Sequence, residues 1–364
     1  MADQRTPKAA TSDTNQGALA ESGEPLSVAP ANPPQEELIP ALLPEDDADD
    51  EDNDSSLGVE DATSSTASVA SSILNYRTIQ GRTFHSEKYD TGYFTPIDDQ
   101  QQESVDITHH YLSLILDGKL YLAPIKDGVQ KVLDVGTGTG IWAIDFADQF
   151  PNAEVIGTDL SPIQPTWVPP NLKFELDDAT QAWSWVDNTF DFIHMRYLFG
   201  AISDWDKLLA EAYRCCKPGG WVQSCEIDAS FVSDDGTVDK VPGLELFNKL
   251  YQESGKKCGR SFCVVAEDLQ RKSTEAAGFT DIQTVNYKIP IGGWAQNQKL
   301  REVGQFSKLT LENDIEGYTL LLWHNVMGWP KEEYQIFLFN VRKALKNKRV
   351  HGYMKLRFVY GRKP

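Results

Sequence analysis

The chain has 364 residues, 40% of them hydrophobic, and a formal net charge of −20. No run of about 18 apolar residues is present and no signal peptide opens the sequence, so the expectation is a soluble cytoplasmic or nuclear protein without a membrane span. The charge is uneven: residues 1–74 hold sixteen Asp and Glu against Arg5 and Lys8, and the other 290 residues net only −6, which leaves neither part the cationic excess that nucleic-acid phosphates require.

Residues 1–72 read as a disordered acidic tail, rich in Pro, Ser, Thr, Gly and Ala and poor in aromatics. Leu38, Ile39, Leu42 and Leu43 lie beside eight acids between Glu45 and Asp54, a pattern suited either to a solubilising arm or to docking on a protein partner. Order is expected from residue 73. The stretch 73–125 begins with an aromatic and basic run from Tyr76 to Pro96, readable as packing or as a lid, and continues with helical periodicity from Ser104 to Leu116.

Residues 126–292 carry the motifs. Lys131–Gly140 reads K-V-L-D-V-G-T-G-T-G: a short apolar strand, then Gly136, Gly138 and Gly140 at alternate positions. Glycine accepts positive φ and lets a ligand approach the backbone, so the strand ends in an open turn. Ile141–Ala147 reads as a helix closed by Pro151. A second strand, Glu154–Asp159, ends on a carboxylate nineteen residues after Gly140, the spacing at which an acid meets ribose hydroxyls. A pyrophosphate would want G-x-G-x-x-G, but position 141 is isoleucine and Asp134 stands two residues before the first glycine. That acid disfavours a dinucleotide and favours a cationic nucleoside such as S-adenosylmethionine, which carries an ammonium and a sulfonium.

Further strands are expected at Leu172–Leu176, followed by Asp177-Asp178-Ala179, at Phe190–Arg196, at Trp221–Ile227 after the turn Lys217–Gly220, and at Ile282–Ile289. Helices are expected at Asp206–Cys216, Leu244–Gln252 and Ala266–Ala277. Strands joined by crossovers argue for a parallel sheet covered on both faces. Residues 293–350, with Trp294, Trp323, His324 and Trp329, read as a helical cap insertion, and 351–364 as the last strand. The five cysteines are odd in number and lack paired spacing, so they read as reduced thiols; no cluster has metal-ligand spacing.

V-L-D-V-G-T-G-T-G, V-I-G-T-D-L-S, F-D-F-I-H-M-R and K-P-G-G-W together resemble class I S-adenosylmethionine-dependent methyltransferases. The flanks G-R-T-F-H-S-E-K-Y, D-G-K-L-Y-L-A-P, L-S-P-I-Q-P-T-W-V-P-P-N, I-P-I-G-G-W and H-G-Y-M are similar to the fungal LaeA-like, or TAM-domain, methyltransferases, from about Ile73 to Pro364. The resemblance implies a Rossmann-like α/β fold with a seven-stranded, mostly parallel sheet and a reversed last strand at Met354–Tyr360. It further implies work in secondary metabolism, either as a tailoring enzyme or as a nuclear regulator with velvet-type protein partners reached through tail or cap. Three departures, Pro96-Ile97-Asp98-Asp99, Cys216 and Gln223, are expected near the entrance and the substrate side.

On this reading Gly136, Gly138 and Gly140 admit the amino-acid part of the cosubstrate with Asp134 near its ammonium. Asp159 takes the ribose, Asp178 the adenine amino group, and Ala179 and His194 complete the set. Methyl transfer needs alignment more than covalent help. Candidate bases are His194 and Glu226; a hydrogen-bonded core histidine and a salt-bridged strand end are the alternatives, and His109, His110 and His324 are weaker. The leading expectation is an enzyme methylating oxygen, nitrogen or sulfur on a small, partly aromatic metabolite. The rival is a regulator acting with a nuclear protein partner, to which Lys346-Asn347-Lys348-Arg349 lends slight support.

Overall fold

A computed structural model describes residues 38–41, 75–86 and 93–364. The expected tail lies outside these residues except for Leu38–Ala41, which belong to the folded unit. Pro40 bridges Ala295, the Ala41 amide donates to the Trp294 carbonyl, the Gln296 amide donates to the Ile39 carbonyl, and Leu38 is buried.

A two-stranded hairpin opens the domain, β1 (Arg77–Ile79) and β2 (Arg82–Phe84), followed by α1 (Asp99–Ile115). Asp98 caps α1 by accepting from the Gln101 amide, and its carboxylate also takes Arg82. The core then runs β3 (Lys131–Val135), α2 (Ile141–Gln149), three strands without an intervening helix, β4 (Glu154–Asp159), β5 (Leu172–Leu176) and β6 (Phe190–Arg196), then α3 (Trp205–Cys215), β7 (Cys216–Ile227), α4 (Pro242–Cys258), α5 (Leu269–Ala276) and β8 (Thr280–Pro290). The chain finishes with α6 (Gln298–Leu321), a π-helical turn at Leu322–Met327, α7 (Lys331–Lys346) and β9 (Tyr353–Arg362).

The seven-stranded sheet has the order β5-β4-β3-β6-β7-β9-β8. β3, β4, β5, β6 and β7 run parallel, and β9 is antiparallel to both β7 and β8, as the reversed last strand requires. The apolar strands explain the two-sided burial. Val132 and Phe192 point into a cluster with Trp142 and Phe146, while Leu133 and Ile193 point into one with Leu209 and Cys215. Because β4 and β5 lie on one side of β3 and β6 on the other, the crossovers part at the carboxyl ends of β3 and β6. That is where an open α/β sheet leaves a crevice.

α6 and α7, inserted between β8 and β9, supply the roof over this edge. α6 is kinked at Asp314 (φ −142°, ψ 44°), whose carboxylate accepts from the Gly317 amide and receives Arg82 at 2.6 and 2.7 Å. Arg82 thus forks between Asp98 and Asp314 and ties hairpin, α1 and roof together. Among the described residues no helix is long and apolar enough to cross a membrane.

Two sequence expectations need correction. The turn expected at Lys217–Gly220 lies inside β7, which begins at Cys216; an irregularity opposite Phe190 to Phe192 absorbs the two glycines. Cys216, paired with Phe190 at the start of the parallel strands, is at the opposite end of the sheet from the glycine turn, and Gln223 Oε1 accepts from the Leu122 and Ala123 amides. Neither departure faces the substrate side. Each is a packing choice.

Candidate active site

The turn after β3 owes its shape to its glycines. Gly136, Gly138 and Gly140 all have positive φ, and a Cβ on Gly140 would sit 2.3 Å from the Phe174 ring. Only glycine satisfies both demands there. Beneath the turn, Asp134 accepts the Thr137 hydroxyl at 2.6 Å and lies 2.7 Å from His194 Nδ1. The His194 ring stacks on Trp142, 3.7 Å between centroids and 7° from parallel. Burial lowers the His194 pKa, so the neutral ring donates Nδ1–H to Asp134.

Two hollows share this turn. One is lined by Asp159, Asp178, Ala179, Gly136 and Gly138, among others. Asp159 accepts from the Gly138 amide at 2.8 Å and the Ser161 amide at 3.2 Å; burial, with a lesser contribution from Asp134, pushes its pKa up to about 6. Asp178 holds its own loop by accepting from the Thr180 amide and hydroxyl. The other hollow is lined by Asp134, Gly136, Gly138, Gln101, Arg196 and Tyr197, among others.

Of the residues singled out in the sequence, Asp134, Gly136, Gly138, Asp159, Asp178 and Ala179 border these hollows. Gly140 does not line them; it caps α2 and makes room for Phe174. His194 and Glu226 do not line them either. Glu226 is fully buried, its two oxygens accepting from the successive amides of Leu198 and Phe199 at 3.0 and 2.9 Å. Desolvation raises its pKa to about 8. The contacts these two residues make are internal: His194 meets Asp134, and Glu226 accepts from the loop leaving β6.

That loop carries what sequence reading missed. Tyr197 has φ +58°, uncommon for a bulky residue, and the two amides that follow it are those held by Glu226. Its hydroxyl lies 2.7 Å from that of Tyr111 on α1. Arg196 Nη1 lies 3.2 Å from His109 Nδ1, while His109 Nε2 lies 3.0 Å from Asp145. Gln101 is buried, yet its Oε1 has no hydrogen-bond partner. From the aromatic stretch before α1, Tyr93 borders both hollows. Gln101 and Tyr197 carry no motif, and Arg196 closes the F-D-F-I-H-M-R run without having been singled out within it. Their only signal is position, at the first turn of α1 and the exit of β6.

The donor set fits an amino-acid-bearing nucleoside cation. The orphaned Gln101 oxygen and Asp134 are acceptors suited to an ammonium, Arg196 is a donor suited to a carboxylate, and the buried polar oxygen would otherwise carry an uncompensated cost. Among the described residues no group of three or more His, Cys, Asp or Glu could hold a metal ion.

Fold and site define an α/β protein with a glycine turn and acidic hollows at the carboxyl edge of its sheet. A methyltransferase-domain family profile matches residues 107–284. The chain is 34% identical to methyltransferase pytC of Aspergillus terreus, over 84% of this chain and 93% of that protein. It is 32% identical to the secondary metabolism regulator LAE1 of Cochliobolus heterostrophus, over 78% and 94%, and 32% identical to the probable methyltransferase tdiE of Emericella nidulans, over 73% and 83%. A Haemonchus contortus phosphoethanolamine N-methyltransferase crystallised with S-adenosyl-L-methionine aligns at a TM-score of 0.40 and 20% identity, over 70% of this chain and 52% of that one. The chain belongs to the fungal LaeA-like family of class I S-adenosylmethionine-dependent methyltransferases. It is a methyltransferase, and S-adenosylmethionine is its cosubstrate.

Proposed function

We propose that the protein methylates a small-molecule acceptor in fungal secondary metabolism, with Gly136, Gly138, Asp134, Asp159, Asp178 and Ala179 forming the cosubstrate cradle. The observation that carries this reading is a chain of hollows along the carboxyl edge of the sheet. It runs from Asp159 and Asp178, past the glycine turn, to a third hollow under the cap, and Tyr197 borders all three. The relatives named as methyltransferases support it.

When bound, S-adenosylmethionine supplies a methyl group already activated on a sulfonium. The chain's own task is then alignment and exclusion of water. Correct positioning is worth roughly 7–11 kcal/mol of barrier. Asp159, as a carboxylate, accepts from ribose hydroxyls, and Asp178 stands at the adenine end. Gln101 and Asp134 hold the ammonium and Arg196 the carboxylate. Tyr197, fixed by Glu226 and Tyr111, forms the wall between cradle and acceptor. No buried base is required for an acceptor whose proton leaves to solvent.

A second reading, compatible with the relatives named as secondary metabolism regulators, is a nuclear protein that modifies or accompanies a protein partner of the velvet type through tail or cap. Incubating purified protein with methyl-labelled S-adenosylmethionine and host extract decides between them. Label in the low-molecular-weight fraction is the expected result; label confined to polypeptides would replace the first reading by the second.

A further inference from the structure

The third hollow differs from the first two in chemistry. It is an open hollow with a cavity volume of about 70 Å³, between the carboxyl ends of β7 and β8, the amino end of β9 and the helices α1, α4 and α6. Its wall contains Phe247, Tyr251, Ile291, Leu311 and Met354, and among its lining residues there is no Asp, Glu, Lys, Arg or His. Thr108, Tyr197, Phe199 and Tyr318 border both this hollow and the one that holds Asp134 and Arg196, so the two meet at an aromatic neck.

The polar atoms in the wall are nearly all committed. Thr108 Oγ1 donates to the Ser104 carbonyl, Ser307 Oγ to the Pro290 carbonyl, Thr310 Oγ1 to the Phe306 carbonyl, and Tyr251 OH to the Tyr318 carbonyl. The exceptions are the Tyr318 hydroxyl, which faces Gln101, and the Tyr111–Tyr197 pair, beside which Thr108 also stands. Two phenols sharing one hydrogen bond keep one O–H and several lone pairs for a third partner. Burial raises the pKa of both, so they stay neutral hydrogen-bonding groups through the working pH range.

A wall of this kind discriminates on charge. An ammonium or carboxylate entering it would lose its hydration and find no counter-ion, whereas a flat apolar ring system loses little and gains contact with aromatic and aliphatic faces. We propose that this hollow is the acceptor chamber and that it selects uncharged aromatic or polycyclic metabolites bearing a hydroxyl, which the Tyr111–Tyr197 pair receives at the neck. The proposal rests on the methyltransferase reading above and names its substrate class. It excludes aliphatic amines, amino acids and phosphorylated acceptors.

Three probes with one ring system isolate the charge: 2-naphthol, 2-naphthylmethylamine (protonated at pH 7.5) and 2-naphthoate. Binding of each is measured by calorimetry to the full-length protein saturated with S-adenosylhomocysteine. The expected result is saturable naphthol binding, with both charged analogues at least tenfold weaker. The variant Ala229→Phe, which places a ring in the chamber, is expected to weaken naphthol at least tenfold while leaving S-adenosylhomocysteine affinity within twofold, which also certifies the fold. Naphthol failing to bind, charged analogues binding as tightly, or Ala229→Phe binding naphthol normally would each overturn the proposal. Failure of wild-type protein to bind S-adenosylhomocysteine at all would instead strike the methyltransferase reading beneath it.

Discussion

The cosubstrate cradle and the hollow under the cap meet at Tyr197 yet are built by opposite means. The cradle is made of carboxylates and open backbone, and its main parts come from the ends of three strands within residues 134–179. The outer hollow has no charge, and its wall is gathered from α1, α4, α6 and the ends of β7, β8 and β9. A ligand common to a whole enzyme class is held by a short local motif. The hollow proposed for the acceptor is lined by side chains that only the cap and the sheet order bring together.

Breaking the glycine turn behind the cradle gives the largest effect. Gly140→Val puts a branched side chain at φ +82° against Phe174; strain and overpacking together cost about 4 kcal/mol. Thermal unfolding should record a fall of many degrees, and a wild-type melting temperature would show that the turn tolerates what its geometry forbids. Asp159→Ala comes next. Loss of charged hydrogen bonds to the ribose, about 1.5–3 kcal/mol, should weaken S-adenosylmethionine by roughly ten- to a hundredfold in calorimetry. The same carboxyl sharpens the comparison through pH. Its pKa in the free protein is raised to about 6 and the ligand prefers the ionised form. Affinity should therefore be flat above pH 6 and fall up to tenfold per unit below it, a dependence that Asp159→Asn abolishes.

Glu226→Gln probes the boundary between the two regions. The amide keeps one acceptor oxygen and turns an NH2 toward a backbone N–H, so the loop holding Tyr197 shifts. The expected outcome is about a tenfold loss of kcat with the cosubstrate dissociation constant changed less than twofold. Equal losses in both would place Glu226 in the cradle instead. The smallest effect belongs to the docked tail. Among the described residues, removing residues 1–41 deletes two backbone hydrogen bonds and the burial of Leu38, and it releases the ordering entropy of Leu38–Ala41. The melting temperature should move by no more than about 2 °C.

The same contrast explains what could be read in advance. The glycine turn, Asp134, Asp159, the parallel strands and the reversed last strand were legible because each is a contiguous pattern with one physical reading. β-branched runs buried on both faces become parallel strands, and alternate glycines become an open turn. The tasks of Glu226, Gln223 and Cys216 were not legible. Whether a buried carboxylate acts on an acceptor or holds two amides depends on which N–H groups face it, and Leu198 and Phe199 are 28 and 27 residues away.

The sequence by itself therefore determined the class of cosubstrate, since local backbone geometry and nearby acids select it without help from the rest of the chain. Only the tertiary structure gathered the uncharged hollow that is proposed to take the acceptor. Placing β6 beside β3, folding α6 over α1 and turning Tyr197 into positive φ are long-range events, and the uncharged hollow exists only after all three.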